Sequence, residues 1–106
     1  MINLEDFKKM ELKVATIKEV DEHPDADKLY VVKVSLEGEE RQVVAGIKPY
    51  YSKEELIGKQ VVVVVNLESA TIRGVESKGM ILAARDEEGI AVLTIDRMIT
   101  DGSKIS

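Results

Sequence analysis

Apolar positions recur along this chain at two spacings, and the change from one to the other marks out its elements. Leu4, Phe7 and Met10 recur at near-helical spacing, which predicts a helix of about two turns. Asn3 can cap it, and Glu5 and Asp6 fall in the first turn, where the helix dipole favours negative charge. Leu12, Val14, Ile17 and Val20 then predict a strand over "ELKVATIKEV". Its alternation slips between Val14 and Ile17, as a β-bulge would make it, so this strand should bend. In "KLYVVKVSL" the alternation is clean: Tyr30, Val32, Val34 and Leu36 share one face, Lys33 and Ser35 the other. "EGEE" reads as a hairpin turn into a third strand, "RQVVAGI". Ser52 is placed to cap a short helix containing Glu55 and Leu56 and stopped by Gly58. "KQVVVVVN" does not alternate at all, the pattern of a strand buried on both faces. The segment "NLESATIRGVESKGM" reads as a connecting loop, followed by "MILAAR", the turn "DEEG", and "IAVLTI".

Five strands with one short helix between the third and fourth are the pattern of a Greek-key barrel, the all-β OB-fold, here with extra segments at both ends. A small β-sandwich is the competing architecture, and the position of the helix favours the barrel. With 106 residues and no repeat, low-complexity tract or linker, residues 1–106 are expected to form one domain.

Composition adds constraints. Hydrophobic residues make up 44% and aromatics 4%, so the core must be mostly Val, Ile and Leu. There is no cysteine, which removes disulfides, thiolate nucleophiles and Cys-based zinc sites. No apolar run is long enough for a bilayer span and the N-terminus lacks a signal-peptide core, so a soluble, cytoplasmic protein is expected. Asn and Gln occur twice each among many Glu and Lys, a bias resembling thermophile composition. The net charge of −5 argues against indiscriminate nucleic-acid binding. Lys59 to Arg85, however, carries four basic and two acidic residues, so a polyanion site would be local.

Candidate chemistry is sparse. His23, the only histidine, stands in His23-Pro24-Asp25-Ala26-Asp27, where a capped turn is preferred over a metal site because no known ligand spacing is present. No metal and no cofactor are expected. Neither a nucleophile elbow nor a phosphate-binding glycine loop exists, and enzyme is the least favoured class. Tyr30, Tyr50 and Tyr51 could stack on bases but read better as structural. Arg73-Gly74 and Ser77-Lys78-Gly79-Met80 differ, because the loop between strands four and five is one that OB-folds use for nucleic acids. Spacing alone leaves a plain turn-rich connector equally open.

The ordered stretches "DFKKMELKVATI", "HPDADKLYVVKV", "VVAGIKPYY", "EELIGKQVVVVVNL" and "RGVESKGMILAA" resemble the tRNA-binding domain family. That family includes the C-terminal appendix of methionyl-tRNA synthetases, free-standing structure-specific tRNA-binding proteins and the module of endothelial monocyte-activating polypeptide II. The resemblance runs from about Phe7 to Lys104. It implies an OB-fold that grips the outer corner of tRNA largely regardless of anticodon, usually as a homodimer in prokaryotic members. By motif position it implies a binding set of Asn66, Arg73, Ser77, Lys78 and Met80, with Lys33 and Lys28 as further members. The family often has Pro and Lys where Ser69 and Thr71 stand here, which removes one phosphate contact. The implied partners are tRNA and a methionyl-tRNA synthetase catalytic region, in cis or in trans. Ile2, Leu4, Phe7 and Met10 at one end, with Ile90, Val92, Leu93, Ile95, Met98 and Ile99 at the other, offer more apolar surface than five barrel strands should need, and are expected to form the dimer interface. A dimeric protein-interaction or chaperone-like module on the same fold is the rival reading.

Overall fold

The computed structural model, which describes residues 1–106, is built around one long strand, β1 (Leu12–Glu22). Residues 16–22 of β1 pair antiparallel with β2 (Tyr30–Leu36), which pairs with β3 (Glu39–Ala45). Residues 12–16 pair with β4 (Gln60–Val64), which pairs with β7 (Met80–Ile81). The sheet order is β3-β2-β1-β4-β7. Its two edges come round to meet: the Lys78 N–H, just before β7, donates to the Gln42 carbonyl of β3 at 2.8 Å, and the Val44 N–H donates to Ser77 Oγ at 2.9 Å. The curled sheet is an all-β, OB-like barrel, as the strand order implied.

β1 bends, but the extra residue is Lys18, where the register with β2 shifts between Ile17 and Glu19. The slip in hydrophobicity nearer Val14 has another cause. Val14 and Ala15 are both buried because this half of β1 is covered on both faces. Ala15, Ile17 and Val20 join Tyr30, Val32, Val34, Leu36, Val43, Val61, Val63 and Val65 in the main core, while Leu12, Val62 and Val64 form a second cluster under Phe7, Leu82, Ile95 and Ile105. This explains the unbroken valine run: odd positions fill the barrel and even ones lie beneath the terminal segments.

Those segments are firmly attached. Helix α1 (Leu4–Lys8) is capped by Asn3, whose Oδ1 accepts from the Asp6 N–H at 2.8 Å. The C-terminal segment takes the edge of β1 that β2 has left: Gly102 donates to Val14, Val14 to Ser103 and Ile105 to Leu12, at 2.7 to 2.9 Å. The Gln60 side chain donates to the Ile99 carbonyl at 2.6 Å and accepts the Ile99 N–H at 3.2 Å. Helix α2 (Lys53–Leu56) carries the full capping box of Ser52 and Glu55, with Leu56 as its buried residue. β8 (Ala83–Arg85) and β9 (Ile90–Val92) form a hairpin whose turn is held by Asp86 Oδ1.

The stretch expected to be a loop is partly regular. β5 (Ala70–Ile72) and β6 (Val75–Ser77) form a hairpin turning at Arg73-Gly74. Both turn residues have positive φ, 52° and 89°, as a type I′ turn demands. Arg73 is the only non-glycine in the chain with this backbone. Strands of three residues are too short for alternation to register, and Arg at the first turn position hides a signal that Asn or Asp would have given.

Candidate nucleic-acid interface

The hairpin is anchored at its base in part by Ser77, which the family resemblance had placed in the binding set. Ser77 is buried; its hydroxyl accepts from Val44 N–H and donates to the Gly79 carbonyl at 3.1 Å. Gln42 Nε2 donates to the Glu76 carbonyl at 2.9 Å. Gly79, at φ 140°, passes so close to β4 that a Cβ there would lie 2.9 Å from the Val64 carbonyl oxygen. Asn66 is exposed, yet its amide is engaged: Oδ1 accepts from Glu11 N–H at 2.9 Å and Nδ2 donates to the Lys9 carbonyl at 2.6 Å. It clips the joint between α1 and β1 to the end of β4. Ser77 and Asn66 therefore build the site, and the groups that face outward are Lys78 and Met80, both exposed beside them.

Lys33 belongs to the same surface. It stands opposite Gln42 across the β2–β3 ladder, and Gln42 bonds to the hairpin at Glu76 and Lys78, so one strand separates the two lysines. Each has a carboxylate 3.8 Å away, Glu19 for Lys33 and Glu76 for Lys78. Exposed pairs this loose are worth little and leave the ammonium groups available. Lys48 is otherwise: it sits 2.7 Å from Glu22, holding that carboxyl below the usual carboxylate range while its own affinity for the proton is raised.

The hairpin tip makes a second locus. Arg73 Nη2 donates to the Asp25 carbonyl at 2.9 Å, and together with Lys28 it lines an open cleft of about 420 Å³ between the tip and residues 25–29. The expected set is thus brought together in two groups, Lys33, Lys78 and Met80 at the base and Arg73 and Lys28 at the tip, on a hairpin spanning roughly 13 Å from Gly74 to Lys78. Arg41 escaped the sequence reading. It is half-buried at an inward position of β3 and donates to the carbonyls of Val65 and, at 3.4 Å, Lys78, fixing the mouth beside Asn66. Its signal was there: an arginine in register with Val43 and Ala45.

The other expectations divide as well. Tyr30 and Tyr51 are structural, linked by Tyr30 Oη to the Tyr51 carbonyl at 2.7 Å and by Val92 N–H to Tyr51 Oη at 3.1 Å. Of the expected dimer-interface residues, Ile2, Leu4, Met10, Leu93, Met98 and Ile99 are exposed. Phe7, Ile90 and Ile95 are partly buried, and Val92 is buried in the main core with no area to offer.

Residues 12–104 match the family model described as "Putative tRNA binding domain". The chain belongs to the tRNA-binding domain family. It is 52% identical over 104 residues to the methionine–tRNA ligase of Pyrococcus furiosus, a match covering 98% of this chain and 14% of that enzyme. The chain thus spans about one-seventh of the length of the ligases it matches. Among solved structures it superposes with TM-score 0.93 and 31% identity on a methionyl-tRNA synthetase related protein from Pyrococcus horikoshii, covering 100% of this chain and 98% of that one. The chaperone CsaA of Picrophilus torridus gives TM-score 0.92 and 32% identity, with both chains covered completely. No helix of this tRNA-binding domain is long and apolar enough to cross a membrane.

Proposed function

We propose that this domain is a noncatalytic module that grips the outer corner of tRNA by shape, as a homodimer, on behalf of a methionyl-tRNA synthetase catalytic region in cis or in trans. The observation that carries the reading is the 52% identity to a methionine–tRNA ligase over nearly the whole chain. The hairpin supplies the means. Arg73 and Lys28 at its tip, with Lys78 and Lys33 at its base, meet successive phosphates along a bent backbone, and Met80 packs on an unstacked base or ribose. Asn66, Ser77 and Arg41 hold that surface in place. A weak, general grip of this kind raises the local concentration of tRNA at a linked catalytic site without adding specificity.

A gel-shift titration with unfractionated tRNA tests the reading. Retention is expected at low salt, with poor competition from a linear single strand of equal length. Absence of retention would remove the proposal. The likeness to CsaA favours a second reading, a dimeric chaperone-like module. It predicts suppression of aggregation of a heat-denatured client by the parent and by Arg73→Ala alike, without tRNA retention.

A further inference from the structure

The His23-Pro24-Asp25 turn has no part in the contacts proposed above, yet it is fastened to the hairpin by a long-range pair of bonds. The His23 ring is buried, 6% exposed, and its Nε2 lies 2.9 Å from the Ile72 carbonyl oxygen. A carbonyl only accepts, so Nε2 carries the proton. Nδ1 accepts the Asp25 N–H at 3.0 Å and is bare. The ring is therefore the neutral Nε2–H form, donating to the hairpin with one nitrogen and fixing its own loop with the other. The loop answers from the far side, where the Asp25 carbonyl accepts from Arg73 Nη2 at 2.9 Å. Ile72 and Arg73 are consecutive, so the bonds close a ring through His23, Asp25 and the hairpin tip. The loop is closed on itself where it joins β1 and β2, since His23 N–H donates to the Leu29 carbonyl at 3.2 Å and Leu29 N–H to the Ala26 carbonyl at 3.3 Å.

A two-stranded hairpin of this size is marginal alone. Ser77, Gln42 and Gly79 fasten its base, whereas the tip, with an arginine held at φ 52°, has the His23 ring and the Asp25 carbonyl as its bonded supports beyond its own ladder. We infer that His23 is a positioning residue for tRNA recognition: it fixes the tip so that the donors Arg73 does not spend on Asp25 face an incoming phosphate. This rests on the reading of the hairpin as the tRNA contact surface.

Two half-replacements separate the bonds. His23→Gln places an amide N–H at the reach of Nε2 and keeps the link to Ile72. His23→Asn keeps an acceptor near Nδ1 for Asp25 N–H but has nothing that reaches the hairpin. With unfractionated tRNA at low salt, His23→Gln should bind within about twofold of the parent and His23→Asn about three- to tenfold more weakly, both remaining folded by circular dichroism. The double variant His23→Asn/Arg73→Ala should bind no more weakly than Arg73→Ala, because residues acting through one contact are not additive. In the free protein, backbone order parameters of Gly74 and Val75 should fall in His23→Asn and not in His23→Gln. Multiplicative losses in the double variant, or unchanged tip order in His23→Asn, would overturn the inference. Unchanged binding by Arg73→Ala would instead overturn the reading of the hairpin as the contact surface, while the order parameters still decide whether His23 holds the tip.

Discussion

Lys78 lies one residue beyond the end of β6, two from Glu76, with 3.8 Å between their charges, and in the proposed contact that carboxylate is the group a phosphate would displace. Glu76→Gln removes the competitor and the repulsion of the RNA backbone while keeping the side-chain shape. Affinity for tRNA should rise about two- to threefold at low salt, in fluorescence titration, and the gain should fade as salt screens both charges. Gly79 bears on the fold instead. Its positive φ and the 2.9 Å approach to the Val64 carbonyl leave no room for a methyl group, and the obstacle is backbone that cannot swing aside. Gly79→Ala should lower stability in urea by about 2 kcal/mol or more, and loosen the β3–β7 closure. At this scale the sequence singled out several of the residues that gather around the hairpin but not the contacts each one makes. Asn66 and Ser77 look like free polar groups in the chain, and only the arrival of Lys9, Glu11 and Val44 from distant segments shows their hydrogen-bonding capacity to be used.

The elements were easiest to read where a single pattern governs several residues. β2 alternates without exception because one of its faces lies on the core, and α2 is announced by Ser52 and Glu55. The β5–β6 hairpin was hidden because its strands are three residues long and its turn uses Arg73. The bend in β1 was placed too early because burial of both faces near Val14 imitates a bulge. The α2 capping box also sets a pH dependence. Accepting the Ser52 N–H at 2.9 Å holds the Glu55 carboxyl below the usual carboxylate range. A carboxyl whose proton affinity is lowered by folding contributes stability that is complete above its unfolded pKa and is lost as pH falls through the lower folded value. Glu55→Gln keeps an acceptor for the cap and has nothing to titrate. Its thermal unfolding midpoint should therefore change less than the parent's as the pH is lowered through the carboxylate range; an identical dependence would exclude a part for the capping box.

For the molecule as a whole, the even valines of β4 and the terminal segments form a layer outside the barrel, and beyond that layer Leu4, Met10, Met98 and Ile99 remain exposed, Met98 at 82%. Burying these side chains between two copies is the expected outcome. Sedimentation equilibrium at tens of micromolar should give a dimer, and Leu4→Glu/Met98→Glu should give a folded monomer; a parent monomer would contradict the proposed homodimer. With an overall charge of −5, the proposed tRNA affinity has to come from a local basic surface, here assigned to the hairpin, through phosphate contact and counterion release. The most direct measurement is the slope of log K against log salt for tRNA binding, taken for the parent and for Arg73→Ala/Lys78→Ala. Two lost phosphate contacts should flatten the slope by about 1.4 to 1.8 and weaken binding to all tRNAs alike. A double variant with the parent's slope and affinity would contradict the assignment of this hairpin as the surface that holds tRNA.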